Sequence, residues 1–175
     1  MKKAIIIYGA PVKQSRVKGI TDTLGEELKT AGFETEVLYP QDLPADKLLY
    51  ADFANPEIQD AVRRVEQADV VVVATPIYKA SFSGFVKVFL DMIPQKGLEG
   101  KVVLPVAVGG TLAHMLVLDY AIRPVVAALA NSHTLQGVFA LDQWIERRED
   151  GGYTLTPELE ERVRAAVGQL ALAAL

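Results

Sequence analysis

The sequence predicts an α/β domain on a doubly wound, five-stranded parallel sheet of order 2-1-3-4-5, with helices on both faces. Three observations predict it. The runs AIIIY, VVVVA and VVLPVAV are apolar throughout, without the polar alternation of a half-exposed strand, so both faces of each are covered. Segments of helical period separate these runs one for one. No repeat, low-complexity tract or linker interrupts the alternation, and 175 residues suit one domain, 1–175.

Each element follows from local pattern. Residues 4–8 are short and β-branched and form the first strand. Residues 17–31 form a helix with Ile20, Leu24 and Leu28 on one stripe, and Gly32 stops it. Residues 35–39 are the second strand. Residues 40–56, with Pro40, Pro44 and Pro56, are irregular. A helix over 57–68 turns Ile58, Val62 and Val65 inward. The third strand is 70–75, a helix covers 82–93, and the fourth strand is 101–108. One long helix runs over 112–130, and 135–140 is the fifth strand. Residues 141–155 form a loop or hairpin turning at Gly151 and Gly152. Thr156 caps a last helix whose first position is Pro157.

Composition removes several kinds of function. The net charge is −4, with both signs spread along the chain, so neither a nucleic-acid patch nor an acidic tail is expected. The absence of cysteine excludes disulfides, thiolate nucleophiles and cysteine-ligated iron–sulfur clusters. With only His114 and His133, no metal site is expected. The start, MKKAIIIYGAP, reads as a strand and not as a signal peptide, because its apolar run is shorter than an h-region. No apolar segment is long enough to span a bilayer. The expectation is a soluble, cytoplasmic protein without a membrane partner.

In an open sheet of this kind, ligands bind beyond the carboxyl ends of the strands, at the point where the strand order reverses. That rule selects three loops. The first, GAPVKQSRVKG (9–19), places Ser15 as an N-cap, with Arg16 and Val17 supplying free helix amides. Such a helix start suits a phosphate, although it also suits an ordinary turn with a solvated arginine. It is neither a P-loop nor GxGxxG. The second loop, ATPIYKASFSG (74–84), has Pro76 ending the strand and fixing a turn. Ile77, Tyr78 and Lys79 then stand at the sheet edge, facing a flat heteroaromatic ring or simply packing there. The third, VGGT (108–111), has Gly109 and Gly110 either admitting a ligand to the backbone or adopting positive φ, with Thr111 beside them. His114 is read as a structural or interface histidine, not a catalytic one.

The segment MLVLDYAIRPVVAALA (115–130) is apolar nearly all round, which points to a subunit interface. Pro124 lacks the N–H that would reach the Tyr120 carbonyl, so a kink or π-bulge is expected near Tyr120. Asp119 and Arg123, four apart, are placed to pair.

ATPIYKASFSG, GLEGKVVLPVAVGGTLAHMLVLDYAIRPVVAALA (97–130), GVFALDQ (137–143) and LLYADFANP (48–56) resemble a known family. It is the NAD(P)H-dependent FMN reductases of sulfonate utilisation, which work beside alkanesulfonate monooxygenase. The resemblance runs from about Ala4 to Asp142. It implies a flavodoxin-like fold in dimers or tetramers and hydride transfer from NADPH or NADH to FMN. The reduced flavin then leaves for the flavin-dependent monooxygenase. Carried over, Ser15, Arg16 and Val17 hold the FMN phosphate. Pro76, Ile77, Tyr78 and Lys79 border the isoalloxazine, and Gly109, Gly110 and Thr111 meet its pyrimidine side. No catalytic acid–base residue is implied. Tyr120 occupies the position of the subgroup's extra tyrosine, which is associated with loose flavin binding. The chain departs from the family where its first loop reads GAPV, not Gly-Ser-Pro-Arg: Ala10 removes a hydroxyl and Val12 a cation, for which Lys13 is placed to compensate. Two other readings use the same fold: a quinone, azo or metal-ion reductase that keeps its FMN, and a flavodoxin-like electron carrier.

Overall fold

The computed structural model describes residues 1–174. Its central sheet contains β1 (Lys3–Tyr8), β2 (Glu34–Leu38), β3 (Val70–Tyr78), β4 (Ser81–Phe82), β5 (Val102–Gly109), β6 (His133–Thr134) and β7 (Val138–Leu141). The main path is β2-β1-β3-β5-β6, with every pairing along it parallel. β7 continues the edge beyond β6, again parallel to β5. Together β6 and β7 are the fifth strand of the expected order. It is interrupted at Gly137, which has φ 89° and where a Cβ would stand 2.7 Å from the Pro105 carbonyl.

The helices are α1 (Arg16–Thr30), α2 (Ala45–Leu49), α3 (Pro56–Glu66), α4 (Gly84–Leu90), α5 (Arg123–Ala128) and α6 (Pro157–Ala173). Strand side chains alternate between two cores. Ile6, Tyr8, Val70 and Val72 pack under α1 and α6, against Ile20, Leu24, Val163 and Leu170. Ile5, Ile7, Val71 and Val73 pack on the other face, against Ile58 and Val65 of α3 and Phe89 of α4. This two-sided burial is why the strands carry no polar alternation. A hairpin of β8 (Ile145–Arg147) and β9 (Tyr153–Leu155) fills the stretch expected to be loop or hairpin.

Four segments differ from the sequence reading. The region 40–56 is not irregular throughout: it holds a 3-10 turn at Pro40–Asp42 and the short helix α2. The third strand does not stop at residue 75. Beyond Pro76 it folds back on itself, with Ile77 opposite Phe82 and Tyr78 opposite Ser81, so β4 supplies the pairing that continues it to Tyr78. The following helix is shorter than expected and begins at Gly84, where the Ser83 hydroxyl caps it by accepting from Val86 N–H at 3.1 Å. The long helix over 112–130 is three pieces: a 3-10 turn at Leu112–His114, a π-helical turn at Leu118–Ile122, and α5. The π turn surrounds Tyr120, and Arg123 N–H reaches the Leu118 carbonyl five residues back. Pro124 is the local cause, as it offers no donor to residue 120. Asp119 and Arg123 pair at 3.3 Å. The Arg123 guanidinium also donates to the Thr134 and Leu135 carbonyls, at 3.0 and 3.1 Å, tying the π turn to the fifth strand.

Candidate functional site

The first loop leaves β1 through Gly9. Its N–H donates to the Ala74 carbonyl at 2.7 Å, and its own carbonyl accepts from the Ser83 hydroxyl at 2.6 Å. A Cβ here would lie 2.5 Å from the Ala74 oxygen, so only glycine lets the first loop touch the third strand. Ser15 takes the N-cap position of α1 with extended backbone, but its hydroxyl makes no bond to the helix. It lies 2.8 Å from the hydroxyl of Tyr8 instead. The first-turn amides therefore lack a cap, and no acidic side chain sits among them. Free N–H groups and the helix dipole make this a place for an anion. The Arg16 side chain is steadied by a bond from Nε to the Ile145 carbonyl at 3.1 Å. Lys13 is not a free substitute cation. It pairs with Asp42 at 2.6 Å and lies over the Tyr39 ring.

The Tyr8 ring is fully buried, 5.2 Å from that of Tyr39. Burial pushes its hydroxyl pKa up to about 12, against a smaller opposing pull from the Ser15 hydrogen bond. The phenol is thus a neutral donor and acceptor at any physiological pH.

The other two loops come to the same edge. Pro76, Ile77 and Tyr78 form a wall, and Tyr78 is half exposed at 50%. The turn beyond them is Lys79–Ala80, with φ 50° and 65°, the left-handed pair of a two-residue hairpin made without glycine. Gly109 belongs to β5, and a Cβ on it would stand 3.0 Å from Ile77. Neither Gly109 nor Gly110 has positive φ. Close packing, not turn geometry, is what favours glycine at 109.

A cleft of about 210 Å³ gathers Ser15, Arg16 and Val17 with Pro76, Ile77 and Tyr78. Val108, Gly109 and Asp142 complete it. Seven of the ten residues expected from sequence thus meet at one place. Lys79, Gly110 and Thr111 lie outside its lining: Lys79 is in the exposed turn, and Thr111 caps the 3-10 turn, its hydroxyl accepting from Ala113 N–H at 3.3 Å. Asp142 is the residue that sequence reasoning missed. It directly follows the fifth strand, so applying the strand-end rule to that strand would have found it. Its carboxylate lies 3.6 Å from where a Cβ on Gly110 would be. A larger groove, about 340 Å³, is lined by α3 and residues 92–94 and includes none of the three loops.

Among the described residues, no cluster of three or more His, Asp or Glu side chains is placed to hold a metal, and no helix is long and apolar enough to cross a membrane. The site offers uncapped amides and a guanidinium at one end and a slot of peptide edge and apolar side chain at the other. It contains no paired acid and base. This suits holding a phosphate-bearing planar molecule, with the chemistry supplied by that molecule.

The chain is 42% identical over 160 residues to the FMN reductase (NADPH) of Pseudomonas putida KT2440, covering 91% of this chain and 81% of the relative. It is 40% identical over 168 residues to the enzyme of that name from Escherichia coli K12, covering 94% and 86%. A crystal structure of an NADH:FMN oxidoreductase (EMOB) in its apo form superimposes with a TM-score of 0.85 at 30% identity, over 99% of this chain and 90% of that one. The flavodoxin-like fold is shared with it. The sequence profile of NADPH-dependent FMN reductases matches residues 2–146, which include every residue of the cleft, and the chain belongs to that family of oxidoreductases.

Proposed function

We propose that this reductase treats FMN as a dissociable substrate, reduces it with NADPH or NADH, and passes the reduced flavin to a two-component monooxygenase of the alkanesulfonate type. The observation that carries this is the cleft: at about 210 Å³ it is smaller than the roughly 300–1,000 Å³ usual for sites that enclose a small molecule. A flavin held there keeps much of its ring system outside the chain. The monooxygenase partner is supported by the four segments shared with the sulfonate-utilisation reductases. More distant likeness to the NADH-dependent FMN reductase SfnF of Pseudomonas putida, 29% identical over 143 residues, agrees with it.

The residues present fit FMN. The Arg16 and Val17 amides, the Ser15 hydroxyl and the Arg16 guanidinium take the phosphate. Pro76, Ile77 and Tyr78 take one edge of the ring, and Gly109 admits it without a side chain, with Lys79, Gly110 and Thr111 at the rim. Bound FMN supplies the hydride acceptor. The protein contributes position and a low-dielectric wall, and no side chain has to move a proton. We assign all of 1–175 to this one domain and place the reaction in the cytoplasm, where reduced nicotinamides are available. We further propose a homodimer or homotetramer formed through residues 112–130, whose Leu112, Met115, Leu116 and Tyr120 point outward.

The test is nicotinamide oxidation by apoprotein in air, with and without free FMN. Oxidation that requires added FMN and saturates with it is the expected result. Flavin that stays bound through purification and turns over only with added quinone or dye would assign the chain to the bound-cofactor reductases; no turnover at all would make it an electron carrier.

A further inference from the structure

The unusual group beside the cleft is Tyr8. It ends a strand whose other residues on the same face are Ala4 and Ile6, and it brings a hydroxyl to the edge of a mainly apolar core. That hydroxyl meets three oxygens: the Val12 carbonyl at 3.0 Å, the Lys13 carbonyl at 3.1 Å and the Ser15 hydroxyl at 2.8 Å. All three belong to the loop that leads into α1.

The contacts have two consequences. The Val12 and Lys13 carbonyls both approach the Tyr8 hydroxyl, whose one proton they share, and this holds the loop to the end of β1. The Ser15 hydroxyl is held away from the cap bond that a serine ordinarily makes at this position, so the Arg16 and Val17 amides remain free, while Lys18 N–H donates to the Ser15 carbonyl at 2.9 Å. Tyr8 has one proton. When it donates to a carbonyl, the Ser15 proton is directed at Tyr8. When it donates to Ser15, the Ser15 proton is released toward the cleft. In the first arrangement one of the two carbonyls, and in the second both, are left to solvent at the exposed residues 12 and 13, and the second presents an extra donor to an anion.

We propose that Tyr8 is a positioning residue for the flavin phosphate, holding the 12–15 loop open and switching the Ser15 hydroxyl into a phosphate donor. This rests on the reading above that the N-terminus of α1 receives the phosphate of FMN.

The test is flavin binding, read as quenching of flavin fluorescence by the apoprotein, for FMN and for riboflavin, which lacks the phosphate. Tyr8→Phe keeps the ring and removes only the hydroxyl. It is expected to weaken FMN binding roughly five- to tenfold, the scale of one lost hydrogen bond, and to leave riboflavin binding unchanged. Equal losses for the two flavins would mean a merely structural hydroxyl and overturn the proposal, as would no loss for FMN. In a Ser15→Ala background the Tyr8→Phe penalty shrinks; an undiminished penalty overturns the route through Ser15. Ser15→Ala by itself keeps the buried phenol. It keeps the proposal falsifiable if Tyr8→Phe does not fold: equal losses for the two flavins overturn the relay. Arg16→Ala separates this proposal from the one beneath it. If Arg16→Ala weakens FMN selectively and Tyr8→Phe does not, Tyr8 alone is misassigned. If neither variant distinguishes the flavins, the phosphate is bound elsewhere.

Discussion

At the scale of single residues, the buried phenol of Tyr8 makes a claim about alkaline stability. Burial raises its pKa from 10.0 to about 12, with Ser15 opposing and with Tyr153, Tyr39 and Asp22 adding smaller upward contributions. In the unfolded chain the group ionises near 10, so between pH 10 and 12 the folded state binds more protons than the unfolded one. Stability from this group is therefore complete below pH 10 and is lost as pH rises through 12. Thermal unfolding of the native protein and of Tyr8→Phe, compared across that window, should show a gap that is constant up to pH 10 and narrows above it. A gap independent of pH would mean that the phenol is not desolvated. Other single residues act by shape. Gly9 is required because the third strand's backbone is in the way of any Cβ, and Gly109 is favoured because Ile77 leaves little room for one.

At the scale of elements, two irregular pieces lie beside a proline: the β3–β4 hairpin, whose Pro76 lines the cleft, and the π turn, which lies outside that lining. Pro76 lies in β3 opposite Val108, after which the chain turns back through two left-handed residues. Pro124 forces the π turn that pushes Tyr120 outward, leaving it 78% exposed. A π turn carries one more residue than an α turn, and its side chains are displaced from the helical stripe. Tyr120→Ala is expected to yield protein that retains flavin through purification, seen as bound flavin absorbance. A colourless variant that turns over free FMN like the native protein would remove Tyr120 from flavin release. The outward Tyr120 and inward Ile122 also show why the apolar segment 115–130 could not be assigned to one face by period alone.

At the scale of the whole molecule, the outward apolar residues Leu112, Met115, Leu116 and Tyr120 are each 48–78% exposed on one short stretch. Exposed apolar residues grouped in this way are the basis of the proposed subunit interface. Leu116→Glu should weaken self-association by roughly 1–3 kcal/mol and shift the sedimentation profile toward monomer, without lowering the melting temperature of the monomer. A native protein that sediments as a monomer at all concentrations would refute the interface.

The sequence by itself determined the sheet, its parallel order, the main alternation of strands and helices, the FMN reductase family, and the three loops at the strand ends. These are legible because burial on both faces makes strands continuously apolar, helices keep their period, and the strand-end rule turns strand order into a place. It also located the irregularity near Tyr120, expected as a kink or a π-bulge, since a proline's missing donor is a local fact. Tertiary structure decided what depends on pairing at a distance. β3 outlasts Pro76 because β4 returns to pair with it, seven of the ten expected residues line the cleft, and Asp142 joins them from the fifth strand. The role of Tyr8 belongs here as well. A tyrosine at the end of an apolar run reads as one more core residue, and only folding brings its hydroxyl against the loop that follows.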